Sequence, residues 1–97
     1  MQDVLVTYDV ATDSPQGRRR LRQVARACCA HGVRVQKSVF ECRLSRAQLV
    51  ILEASLRDLI EPGEDSVRIY RFRDGTRPAL VTLGLTPRFL PGGPLII

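Results

Sequence analysis

The sequence contains no tryptophan, a single histidine, a single methionine, a single lysine and only three cysteines. Its apolar runs are short. The longest, such as Leu49 to Leu52, fall far below what a bilayer-spanning helix needs, so no membrane association is expected. The N-terminus lacks a basic segment followed by an apolar signal-peptide core, so a cytoplasmic protein is expected. His31 stands alone beside Gly32 at a predicted helix end, where it reads as a partner of the helix dipole rather than as a catalyst. Cys28, Cys29 and Cys42 are odd in number and lack metal-ligand spacing, so they read as small buried hydrophobes. A Gly-rich phosphate loop, a His-x-x-x-His pair and a Gly-x-Ser-x-Gly elbow are all missing, which removes the commonest enzyme signatures.

Hydrophobic residues make up 44% and charged residues 26% of the 97 positions, the balance of a folded globular chain. That length suits one small domain, which leaves much of its surface exposed and gains from a partner subunit. Net charge is +5 and unevenly spread. From Arg18 to Arg46 there are nine basic residues against one acid, Glu41, while most of the acids lie between Glu53 and Asp74. Such a one-sided segment suits a polyanion, because arginine contacts to phosphates release counterions; a solvated charged helix is the plainer alternative.

Val4 to Tyr8 is apolar or β-branched throughout and reads as a strand buried on both faces, with Asp9 at its end. Ser14 then serves as N-cap and Pro15 as first residue of a helix running to His31, closed by Gly32 as the residue after its C-cap. Leu21, Val24, Ala25 and Cys28 form its core stripe; Arg18, Arg22 and Arg26 form a basic ridge elsewhere on it. Val33–Gln36 and Val39–Leu44 read as a hairpin turning near Gln36-Lys37-Ser38. Ser45-Arg46-Ala47-Gln48 is a capping box, opening a second helix that ends near Ile60, with Leu49, Leu52, Leu56 and Leu59 as its core stripe. Val67–Phe72 and Ala79–Leu85 follow as strands joined by an Asp74-Gly75 turn.

The order βαββαβ plus one strand is an α+β, ferredoxin-like pattern over residues 1–85, followed by an irregular proline- and glycine-containing tail, 86–97, ending in Leu95-Ile96-Ile97. Both helices of such a unit cover one face of the sheet. The other face needs cover, so a homodimer with stacked sheets or an exchanged tail strand is expected, the tail docking on the partner.

Asp9 is the remaining candidate for chemistry. A carboxylate there should be exposed, paired with an arginine, or bound to metal, and the plainest reading is a strand-end residue capping the next loop. One carboxylate holds Mg²⁺ poorly, but two Asp9 residues across a dimer axis would supply the paired oxygens used in metal-assisted phosphodiester hydrolysis.

Four segments together resemble the CRISPR-associated protein 2 family: Val4 to Val10 with its Tyr8-Asp9 ending, the arginine-rich helix Arg18 to Ala25, Arg34 to Cys42 with Val35-Gln36-Lys37-Ser38-Val39-Phe40-Glu41, and Ser66 to Phe72. The resemblance spans about residues 3 to 72. It implies a ferredoxin-like homodimer with C-terminal strands crossing between subunits, acting in CRISPR adaptation beside an integrase subunit. It further implies that Asp9 of each subunit is the ligand of a shared Mg²⁺ in an endonuclease acting on single-stranded RNA or, in some members, double-stranded DNA. Tyr8, Arg34 and Phe40 match positions that influence activity, and Arg18, Arg20 and Arg22 match as a group. On this reading these six residues contact nucleic acid. A non-catalytic scaffold that binds duplex DNA and bridges integrase subunits is the alternative the family also allows, and a small-molecule-binding regulator is a third class.

Overall fold

A computed structural model describes residues 1–72 and 79–85. Its elements are β1 (Gln2–Asp9), α1 (Pro15–Cys29), β2 (Gly32–Gln36), β3 (Val39–Leu44), α2 (Arg46–Leu59), β4 (Ser66–Phe72) and β5 (Ala79–Gly84). The strands form one antiparallel sheet in the order β2-β3-β1-β4-β5. The first four strands in that order, with β1 central and both helices packed on one face, make the expected ferredoxin-like unit; β5 extends it beyond β4. The Asp74-Gly75 turn and the tail lie outside the described residues.

Local chemistry sets most boundaries. Ser14 Oγ accepts the N–H of Gly17 at 3.0 Å and Pro15 opens α1. At α2 the capping box is complete: Ser45 Oγ accepts the Gln48 N–H at 3.2 Å, and the Gln48 side chain accepts the Ser45 N–H at 2.9 Å. The core lies between sheet and helices. Val4, Val6 and Tyr8 of β1, Phe40, Cys42 and Leu44 of β3, and Val67 and Ile69 of β4 meet Val24 and Cys28 of α1 and Leu49, Leu52 and Leu56 of α2.

Three expectations are corrected. The helix stops at Cys29, with Ala30 as a right-handed C-cap at φ −67°, so Gly32 does not close it. Gly32 instead opens β2, where its missing side chain lets the backbone pass against Cys42 and the Glu41 carbonyl. Second, β1 is buried on one face only: Leu5 and Thr7, on the other, are half-exposed in the single chain. Third, Cys28 and Cys42 are buried as expected but Cys29 is exposed.

Candidate nucleic-acid and metal site

Successive strand residues face opposite sides of a sheet, so Tyr8 and Asp9 cannot belong to one surface. The buried set Val4, Val6, Tyr8 fixes which side is which. Tyr8 points beneath the helices and Asp9 to the side that, among the described residues, no helix covers.

On that open side the register lays out rows across the sheet. Asp9 stands opposite Ser66, which stands opposite Gly84. The next row inward is Val39, Thr7, Arg68 and Thr82, and the row after it is Val33, Glu41, Leu5, Tyr70 and Leu80. Arg68 donates to the Tyr70 hydroxyl at 3.2 Å. Asp9 is exposed and makes no ion pair among the described residues. Farther along, Val33 at 69% exposure and Phe72 at 44% border an open depression of about 740 Å³ that also includes Leu5 and Arg43.

Under the helices, Tyr8 and Phe40 stack with ring centroids 6.1 Å apart at 22°, and the Arg34 guanidinium lies 5.1 Å over the Phe40 ring. Phe40 has no exposed surface and Tyr8 very little. The Tyr8 hydroxyl donates to the Lys37 carbonyl at 3.3 Å. Burial raises its pKa above the usual phenol value, with the Arg34 guanidinium offsetting part of the rise, so the phenol keeps its proton at neutral pH. A groove of about 610 Å³ opens beside this cluster, with Arg22, Arg34 and Lys37 among its lining residues.

The arginines of α1 divide as well. Arg18, Arg22 and Arg26 are exposed; Arg18 donates to the Thr12 carbonyl at 3.3 Å. Arg20 is drawn inward, its Nε 2.8 Å from Asp65 and its Nη2 3.4 Å from Glu64. Arg20 is therefore engaged with acids of the same chain, while Arg18 and Arg22 present their charge to solvent.

Sequence reasoning missed Asp65. It is the buried charged residue among the described residues, at 0% exposure. Burial alone would raise its pKa; the Arg20 guanidinium and the Glu61 and Ala11 N–H groups outweigh that and hold the carboxyl below its ordinary value. No local signal separates it from Glu61 and Glu64 in the same acid-rich turn, because its partner Arg20 is distant in the chain. The thiols have no comparable role. Burial, with smaller contributions from the neighbouring cysteines, pushes Cys28 up to about 12, and burial also raises Cys42, so both stay protonated and inert.

No cluster of three or more His, Cys, Asp or Glu groups is formed among the described residues. Among the described residues, Asp9 therefore belongs to no such cluster within one chain. That is compatible with Mg²⁺, which keeps several waters and commonly takes only one or two carboxylates.

Residues 1–78 match the family described as CRISPR associated protein Cas2. The chain is 47% identical over 94 residues to the CRISPR-associated endoribonuclease Cas2 3 of Rhodospirillum rubrum, covering 97% of this chain and 99% of that protein. It is 45% identical over 93 residues to the CRISPR-associated endonuclease Cas2 of Halalkalibacterium halodurans, covering 96% and 97% respectively. Among solved structures, Cas2 of Streptococcus pyogenes at pH 6.5 superposes with a TM-score of 0.69 at 46% identity, covering 75% of this chain and 88% of that one. The ferredoxin-like sheet and the near full-length identity agree, and this chain belongs to the CRISPR-associated Cas2 family.

Proposed function

We propose that two copies of this chain associate through the uncovered faces of their sheets and act in CRISPR adaptation as a Mg²⁺-dependent endonuclease cutting single-stranded RNA or double-stranded DNA. The observation that carries this reading is the exposed Asp9 carboxylate at the end of a face that also displays Val33, Phe72 and Leu80 to solvent. Apolar groups exposed together on one sheet face are what a partner surface covers. A second copy supplies that cover and a second Asp9.

Asp9 from each subunit would hold the ion. When bound, Mg²⁺ supplies a water of lowered pKa and offsets negative charge developing on the scissile phosphate. The protein's own share is binding and orientation. Arg18 and Arg22 offer exposed guanidinium groups for backbone phosphates. Arg34, held over Phe40, adds a third cation beside the groove, and Tyr8 and Phe40 act by fixing Arg34 rather than by touching the ligand. Arg20 contributes through its ion pair with Asp65. The names of the relatives, endoribonuclease and endonuclease, support phosphodiester cleavage.

A non-catalytic role has its own supporting observation. The exposed ridge Arg18, Arg22, Arg26 needs no metal to bind a duplex backbone. A dimeric scaffold that bridges integrase subunits on DNA would use that ridge and leave Asp9 idle. Cleavage of labelled single-stranded RNA and double-stranded DNA, with Mg²⁺ or with a chelator, by wild type and Asp9→Asn decides between them. Endonuclease function requires metal-dependent cleavage that Asp9→Asn loses. Duplex binding without cleavage by either protein would support the scaffold.

A further inference from the structure

Asp65 lies in the turn between α2 and β4, and its carboxylate is fully shielded from solvent. One oxygen accepts the N–H of Ala11 at 3.0 Å. The other accepts Arg20 Nε at 2.8 Å and the N–H of Glu61 at 2.8 Å. Its main chain is engaged too: its N–H donates to the Glu61 carbonyl at 2.8 Å and its carbonyl accepts the Leu85 N–H at 2.9 Å. Gly84 makes that last contact possible, since its φ of +80° is one that side-chain-bearing residues rarely adopt. A buried carboxylate with so many partners resists displacement, because moving it would strand both its charge and the donors aimed at it.

The bonds to Glu61 and Leu85 tie the turn to its immediate surroundings. The bond to Ala11 reaches farther. Ala11 follows Asp9 by two residues, in the segment that carries the chain from β1 into α1. On the strand side, Asp9 pairs with Ser66, the residue after Asp65. The end of β1 is thus gripped twice from one short stretch of chain, once through the ladder at Ser66 and once through the Asp65 carboxylate. A strand terminus held only by its last ladder pair frays. A metal-binding carboxylate at that terminus has to be held still, since ligand geometry depends on the groups behind it.

We propose that Asp65 is a positioning residue for Asp9, locking the Asp9–Ala11 segment so that the Asp9 carboxylate is held on the open face of the sheet. This rests on the reading of Asp9 as a metal ligand. Arg20 then serves as the counter-charge that lets Asp65 do so.

Mn²⁺ binding followed by electron paramagnetic resonance tests this without any cleavage assay, on full-length protein well below its thermal transition. Four variants accompany wild type. Asp9→Asn removes the ligand, and Asp65→Asn removes the charge and one acceptor oxygen. Ala11→Pro deletes the single N–H that links Asp65 to the Asp9 segment while sparing Arg20 and Glu61. Ser45→Ala removes the α2 cap at the opposite end of β1, a loss of stability placed far from Asp65 and Ala11. The expected result is loss of binding in Asp9→Asn, a drop of about tenfold in Asp65→Asn and Ala11→Pro, and less than about twofold in Ser45→Ala, in line with the effect of removing support behind a metal ligand. Should Asp65→Asn fail to fold, Ala11→Pro carries the same test. Wild-type affinity in Asp65→Asn or Ala11→Pro, with none in Asp9→Asn, overturns the positioning role and leaves the Asp9 reading intact. An equal drop in Ser45→Ala also overturns it, as a general effect of stability. Unchanged binding in Asp9→Asn removes the ligand reading and the positioning role together.

Discussion

The two faces of the sheet are built from the same strands yet obey different rules. The helix-covered face is saturated: Phe40, Tyr8 and Arg34 stack on one another, and the aliphatic residues of β1, β3 and β4 meet those of both helices. The open face is unfinished. It sets Leu5, Val33, Phe72 and Leu80 beside Arg43, Arg68 and Asp9, with no second layer over them among the described residues. Residues that a sequence reading groups as one site are therefore divided by the thickness of the sheet. The covered side supplies rigidity, and the open side is the surface to which the proposed function assigns a second subunit and a metal.

If that contrast holds, Phe40→Ala gives the largest effect. Removing a ring that is wholly buried should lower stability by about 3–5 kcal/mol, measured by urea unfolding, and should disturb Arg34 as well. Asp65→Ala comes next, at about 3 kcal/mol at neutral pH, the lower end for breaking a buried ion pair. Its effect carries a pH signature. The folded-state pKa of Asp65 lies below its ordinary value of 3.8, so its stabilisation is complete above that value and disappears as pH falls through the lower, folded-state pKa. Unfolding curves of wild type and Asp65→Asn should therefore be well separated at neutral pH and converge in acid. Val33→Glu is the smallest and the most revealing. On an exposed position it should change the unfolding free energy of the single chain by less than about 0.5 kcal/mol. Sedimentation should nevertheless shift from dimer to monomer. A dimer that tolerates the charge would break the comparison, since the open face would then not be the interface.

How far the sequence reveals this depends on the range of the interactions involved. Both helix starts are readable because Ser14 and the Ser45–Gln48 box act within one turn. The end of α1 is not, because Gly32 carries the composition of a helix stop while its use is set by Cys42, a strand partner ten residues on. The family pattern picks out Tyr8, Asp9, Arg34 and Phe40. It does not say that Asp9 parts from the other three, although strand alternation contains that information. Helical spacing takes Arg20 off the ridge of Arg18 and Arg22, but only its contact with Asp65 shows what it does there. Asp65 is hidden for the same reason: a buried acid and a solvated acid look alike until the chain has folded.

The central claim is that Asp9 residues from two chains share one ion on the open face. The stoichiometry of Mn²⁺ bound to the purified protein at saturation tests it most directly. One ion per two chains, lost in Asp9→Asn, is the expected result. One ion per chain, or a stoichiometry that Asp9→Asn leaves unchanged, would contradict it.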